Sequence, residues 1–226
     1  MQQSYPGKLI YSNPLCEPKD IESFILEGQA QIGFRDGAMA LENALSGSLG
    51  QKANYVLWCP QQFPSDLRVQ WEFKPLSSVG LCMLFFAARG RGGKDLFDPS
   101  LPVRTGEYPQ YHSGQIDAFH VSYYRRKEPD ERAFHTCNLR KSHGFHLVAQ
   151  GADPLPDAAD AEGFYRICVT KCGSHIGFAI NDLTVFDYQD DGVTFGPHLG
   201  AGRIGFRQLA PLTALYRGLK VYDLSR

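Results

Sequence analysis

Residues 67–88 read LRVQWEFKPLSSVGLCMLFFAA. In the first half Leu67, Val69, Trp71 and Phe73 alternate with Arg68, Gln70, Glu72 and Lys74. A period of two puts one face of a β-strand on a core and the other in water. From Leu81 to Ala88 the run is apolar in both registers, which marks a central strand covered on both sides.

Outward from this stretch, strand patterns recur from about residue 30 to the C-terminus. AQIGFRDGAMALEN (30–43) reads as two short strands around Asp36–Gly37, a dipeptide that supplies the positive φ values of a tight hairpin. DAFHVSYYRR (117–126), TCNLRK (136–141) and GFHLVAQG (144–151) follow. Then comes a meander over residues 164–192 with turns at CGS and IND, and GAGRIGFRQL (200–209) and YRGLKVYDL (216–224) close the chain. Helical periodicity is confined to a short turn near PDAADAEG (156–163). The pattern predicts an all-β fold of two antiparallel sheets packed face to face, a jelly-roll β-sandwich. Residues 1–226 are read as one domain, since 226 residues that are 43% hydrophobic can build one large core. Two long segments, 89–114 and 150–163, are too rich in Gly, Pro and polar residues for core and are expected to rim a site.

The 23 basic and 24 acidic residues nearly cancel, which argues against nucleic acid as a partner. MQQSYPGKLIYSNPL (1–15) carries neither the apolar run of a signal peptide nor a membrane anchor. The expected location is therefore the cytoplasm, and the six cysteines are read as thiols. Cys168 and Cys172 have no second pair at zinc-finger spacing. No phosphate-binding or dinucleotide motif is present, so no cofactor is expected. The acidic turns DYQDDG (187–192) and GADPLPDAADAE (151–162) offer oxygen ligands for Ca2+ without the spacing of an EF-hand.

Five segments carry a family resemblance: 63–90 (FPSDLRVQWEFKPLSSVGLCMLFFAARG), GQIDAFHVSYYRR (114–126), NLRKSHGFHLVAQGADPLP (138–156), 165–188 and 202–224. Together they resemble the YesU-like family of bacterial proteins of unassigned function, over roughly residues 30 to 224. That family lies in the concanavalin A-like lectin/glucanase superfamily. The resemblance implies a bent jelly roll whose concave sheet holds glycans, and some family members are encoded beside genes for degrading uronate-containing polysaccharides.

Strand parity locates the candidate residues. With Phe119, Val121 and Tyr123 directed inward, His120, Ser122 and Tyr124 face the other way. The same parity sends Asn138 and Arg140 opposite Cys137 and Leu139, and Arg203 and Arg207 opposite Ile204 and Phe206. His120 and Tyr124 are the candidate catalytic pair. Asn138, Arg140, Arg203 and Arg207 are the candidate substrate-binding set, with Tyr108, Tyr111, His112 and His146 as rim contacts. Guanidinium forks match carboxylates and tyrosine rings stack on sugars, so the expected ligand is an acidic, uronate-containing oligosaccharide. Such a set can perform β-elimination, which needs a clamp for the carboxylate and a His or Tyr base. Two alternatives stand beside it: a lectin-like module without chemistry, and a glycoside hydrolase. Retaining hydrolysis needs two carboxylates about 5–5.5 Å apart; the Glu-x-Asp-x-x-Glu run of the glucanase branch is missing, so they would have to come from separate strands.

Overall fold

The structure is a computed structural model that describes residues 7–225. Strands are numbered here in chain order. One sheet runs β13 (Leu183–Gln189), β12 (His175–Ile180), β11 (Tyr165–Cys172), β6 (Leu67–Pro75), β15 (Thr213–Asp223), β4 (Ala38–Asn43), β3 (Ala30–Arg35), and β1 (Lys8–Asn13) pairs with β15. The other runs β10 (His146–Ala152), β9 (Thr136–Ser142), β8 (Ile116–Tyr123), β7 (Leu81–Gly90), β14 (Arg203–Leu209), β5 (Tyr55–Trp58), β2 (Ile25–Glu27). The pairings are antiparallel, and the two sheets enclose one large apolar layer. This is the expected sandwich.

The core follows the alternation. Leu67, Val69, Trp71 and Phe73 from β6 meet Leu84 and Phe86 from β7, Phe119, Val121 and Tyr123 from β8, and Phe206 from β14. The Trp71 Nε1–H donates to the Tyr123 hydroxyl at 3.1 Å, so a polar tip buried between the sheets is satisfied. β7 lies between β8 and β14 with Leu81 to Ala88 all buried, as its sequence requires. The short turns obey their dipeptides: Asp36 and Gly37 have φ of 54° and 67°, and Asn181 and Asp182 have 48° and 65°.

Where β10 meets β13, the sheet edges approach closely at Gly151, whose added Cβ would lie 2.1 Å from the Val185 carbonyl oxygen. Gly151→Ala is therefore expected to force the edges apart and destabilise by about 1–3 kcal/mol. A lower urea midpoint with an unaltered m-value would bear this out, and an unchanged midpoint would refute it.

The two long segments behave differently. Residues 91–115 fold over the outer face of the seven-stranded sheet, with Leu96 and Tyr111 packing on Val56, Trp58, Phe85 and Ala118 to make a second small core. In 150–163, residues 150–152 finish β10, with Gln150 beside Asn138, a 3-10 turn forms at Ala158–Asp160, and Leu155 packs into the inter-sheet core. The Asp153 carboxylate accepts from the Tyr124 amide (2.8 Å) and pairs with Arg126 (3.2 Å), and the Ala158 amide donates to the Tyr124 hydroxyl (3.1 Å).

Candidate functional site

Antiparallel register lines residues up across the outer face of the seven-stranded sheet. One row is Trp58, Gly205, Phe85, His120, Arg140; the next is Val56, Arg207, Met83, Ser122, Asn138, Gln150. The loop 91–115 covers the Trp58 end of both rows. It is anchored by Glu27 on β2, whose carboxylate accepts from Trp58 Nε1 (2.9 Å), the Tyr111 hydroxyl (2.8 Å) and Arg104 Nη2 (2.6 Å). The loop ends in the helical turn α1 (Pro109–His112), which sets Tyr108 and His112 over the middle of the sheet.

Tyr108 is the centre of the cluster. Its hydroxyl lies 2.6 Å from His120 Nε2, and its ring packs against Leu81, Met83 and Leu209 while part of the residue stays exposed. His112 meets the Tyr108 ring edge-on at 4.7 Å, and Phe145, from the turn after β9, closes against both. The half-buried Arg140 guanidinium stacks 3.9 Å over Phe145 and donates to its carbonyl (3.0 Å). Beneath Tyr108, Arg207 is fully buried; it lies 5.0 Å from the Tyr108 ring centre and 5.3 Å from that of Tyr111, and donates to the Gly106 carbonyl at 2.6 Å.

The electrostatics of the cluster are one-sided. Neither Arg140 nor Arg207 takes part in an ion pair among the described residues. Burial lowers the Arg207 pKa to about 10. Burial also raises the Tyr108 hydroxyl to about 12, opposed by Arg207, Arg140 and Arg125. His120 is pushed well below 6.5, first by burial and then by Arg140, Arg207 and His112; His112 is lowered by burial and the same two arginines. Both imidazoles are therefore neutral at pH 7.

The structure brings some of the candidate residues together and places others elsewhere. His120, Asn138, Arg140, Tyr108 and His112 come together on this face, with Asn138 lying 2.7 Å from Gln150 and 3.1 Å from Arg125. Tyr124 does not join them. β8 ends at Tyr123, and a φ of 48° at Tyr124 breaks the alternation, turning its ring into the inter-sheet core beside Phe73 and giving its hydroxyl to the Ser77 carbonyl. That slip leaves Arg125, absent from the candidate set, on the Tyr108 side, where it donates to Thr136 and pairs with Glu131 at 2.8 Å. Arg207 lies under the Tyr108 ring with no exposed surface, out of reach of a ligand on this face. Arg203 sits at the opposite end of β14, paired with Asp95 (2.7 Å) and stacked on Phe97. Tyr111 is a fully buried anchor of the loop, and His146 stacks on Phe195 in a separate cleft.

Phe145 and Glu27 also shape this face, and the sequence pattern does not mark either. Phe145 follows Gly144 in a tight turn and has a φ of 60°; the only local hint was the Ser-His-Gly interruption between two strands. Nothing local marks Glu27, because its partners lie at least 31 positions away. In the acidic turns Asp190 pairs with Lys141 (2.8 Å) and Asp153 with Arg126, while Asp157 accepts from the Ser78 hydroxyl and Asp191 from the Thr194 amide. Cys16, Glu17 and Asp20 place three donor atoms near one another, but Asp20 already accepts from the Cys16 and Glu17 amides.

Comparison with known proteins agrees with this architecture. The uncharacterized protein YesU of Bacillus subtilis (strain 168) is 50% identical over 220 residues, covering 97% of this chain and 98% of its own length. A crystal structure of a Bacillus subtilis protein of unknown function with a galectin-like fold superposes with a TM-score of 0.92 at 50% identity, covering 96% of each chain. The Bacillus licheniformis β-glucanase, 11% identical, shares the fold with a TM-score of 0.57, covering 97% of this chain and 100% of its own. The domain of unknown function DUF1961 matches residues 8–221, and the chain belongs to that family.

Proposed function

We propose that the protein binds an acidic, uronate-containing oligosaccharide on the outer face of the seven-stranded sheet. The observation that carries this reading is the placing of two arginines without carboxylate partners among the described residues beside Tyr108: Arg207 beneath its ring at 5.0 Å, and Arg140 stacked on Phe145, which packs against that ring. Like charges held together repel, and an anionic guest relieves that repulsion while accepting a hydrogen bond from the part of the Arg140 guanidinium that stays exposed. Tyr108 and Phe145 supply rings against which a sugar can pack. The likeness in fold to a β-glucanase, an enzyme named for a glycan, points the same way. Six unpaired cysteines suit a reducing compartment, so the ligand is read as an oligosaccharide taken up into the cytosol.

The neutral His112 beside the protonated Tyr108 favours a second step, β-elimination. Arg140 holds the uronate carboxylate and His112 takes the C5 proton. The electron pair forms the C4–C5 double bond, the C4–O bond breaks, and Tyr108 protonates the departing oxygen. His120 serves as the positioning residue for Tyr108. Hydrolysis has less support, because Glu27 and Glu131 are already paired with Arg104 and Arg125.

The test is a panel of pectin-, rhamnogalacturonan- and ulvan-derived oligosaccharides and their neutral counterparts, followed by calorimetry, by ultraviolet absorbance of unsaturated uronates and by reducing ends. Acidic members are expected to bind at least about tenfold more tightly, with a preference that falls in salt and is mostly lost in Arg140→Ala. Equal affinity for acidic and neutral members would refute the anionic reading. Tight acidic binding with no rise in absorbance would leave a lectin-like module.

A further inference from the structure

The turn after β9 has a second side. Its Gly144 amide donates to the His112 carbonyl (2.7 Å) and His143 Nε2 lies 3.1 Å from the Ser113 carbonyl oxygen, which pins the turn to α1. Phe145 packs on Tyr108, whereas His146 stacks on Phe195 with ring centres 4.6 Å apart and planes 27° from parallel. Ser142, His143, His146 and the segment 194–197 border a cleft of about 360 Å³, with Arg91 and Asp117 also in its lining.

Three features define what fits there. The charges cancel: the buried Lys141 ammonium contacts both Asp190 oxygens (3.0 and 2.8 Å), and Arg91 faces Asp117 at 3.8 Å. This contrasts with the cationic Tyr108 face and disfavours a charged ligand. The stacked His146 and Phe195 rings are both partly exposed and line the cleft, which gives its wall an aromatic surface. Ser142 is 2% exposed and its hydroxyl has no hydrogen-bond partner among the described residues. A buried hydroxyl is ordinarily hydrogen-bonded, and one at the wall of a cleft is free to bond a hydroxyl that enters.

We infer that this cleft is a second binding site, for one neutral hexopyranose unit. The sugar's apolar face packs on the exposed surface of the Phe195 ring, and a ring hydroxyl bonds Ser142 Oγ. Its occupancy does not depend on what the Tyr108 face binds.

The experiment is an NMR titration of the full chain with the neutral methyl glycosides of glucose, galactose and rhamnose, with galacturonate as the charged comparator. At least one neutral glycoside is expected to give saturable shifts at the Phe195, Gly196 and His143 amides. Phe195→Ala is expected to weaken that binding about five- to tenfold, in keeping with the loss of one stacked ring, and Ser142→Ala to weaken it in the same direction. Thermal melts of both variants report whether the fold is retained. Shifts confined to the residues around Tyr108, no shifts with any of the three glycosides, or a folded Phe195→Ala protein that titrates like the parent would overturn the inference.

Discussion

Glu27→Ala is expected to lower the stability of the protein by about 3–5 kcal/mol and to abolish oligosaccharide binding, although Glu27 is buried beneath the loop and away from the proposed ligand. The side chains of Glu27 and Arg104 are 9% and 7% exposed, so removing the carboxylate leaves a guanidinium buried without its counter-charge. It also strips the Trp58 indole N–H and the Tyr111 hydroxyl of their acceptor. Those four groups tie the loop 91–115 to β2 and β5, and the same loop carries Tyr108. Urea denaturation reads the stability loss, and limited proteolysis reads the release of the loop. Glu27→Gln keeps an acceptor oxygen and should recover part of both. An Ala variant with an unchanged midpoint and an intact loop would show that the Glu27 network does not hold the site.

The second large effect is a dependence on pH centred on His120. The groups that face it are Tyr108 at 2.6 Å, the Phe85 ring at 5.0 Å, and Arg140, Arg207 and His112, the three that bear on its charge. Burial and these cations hold its folded pKa well below the unfolded value of 6.5. The unfolded chain therefore binds a proton that the folded chain refuses, and stability rises with pH through this window. Its contribution is fully present above 6.5 and shrinks as pH falls below it, by about 1.4 kcal/mol per pH unit until the folded pKa is reached. Urea midpoints measured between pH 7 and pH 5 are expected to fall steeply in the parent and less steeply in His120→Gln, whose amide does not titrate. Parallel slopes in the two proteins would place the titrating group elsewhere.

Both effects show how the face is built. The apolar side of the loop, Leu96 and Tyr111, covers half of the sheet as a core would, and the remaining half keeps its polar rows under a single tyrosine. Arg207 makes that arrangement cationic without being reachable. Its charge is felt through the Tyr108 ring, and its removal would change the electrostatics of the face as well as its contacts.

The sequence by itself determined the sandwich, the inward set of β6 and β8, the fully covered β7, the hairpin turns at Asp36–Gly37 and Asn181–Asp182, and the placing of His120, Asn138 and Arg140 on one face. These are local properties: a period of two holds wherever the backbone stays extended, and positive φ at a turn follows from its own two residues. Tertiary structure alone decided which polar residues meet. The φ of 48° at Tyr124 ended the alternation and exchanged Tyr124 for Arg125, and a φ of 51° at Ala87 did the same in β7, where Phe86 and Ala87 both point into the core. It also decided that the loop 91–115 would cover half the face, bury Arg207 and join Glu27 to Arg104, a residue 77 positions away. Such contacts arise from which segments pack together once the sheets have formed, and neither composition nor periodicity along the chain records a partner that distant.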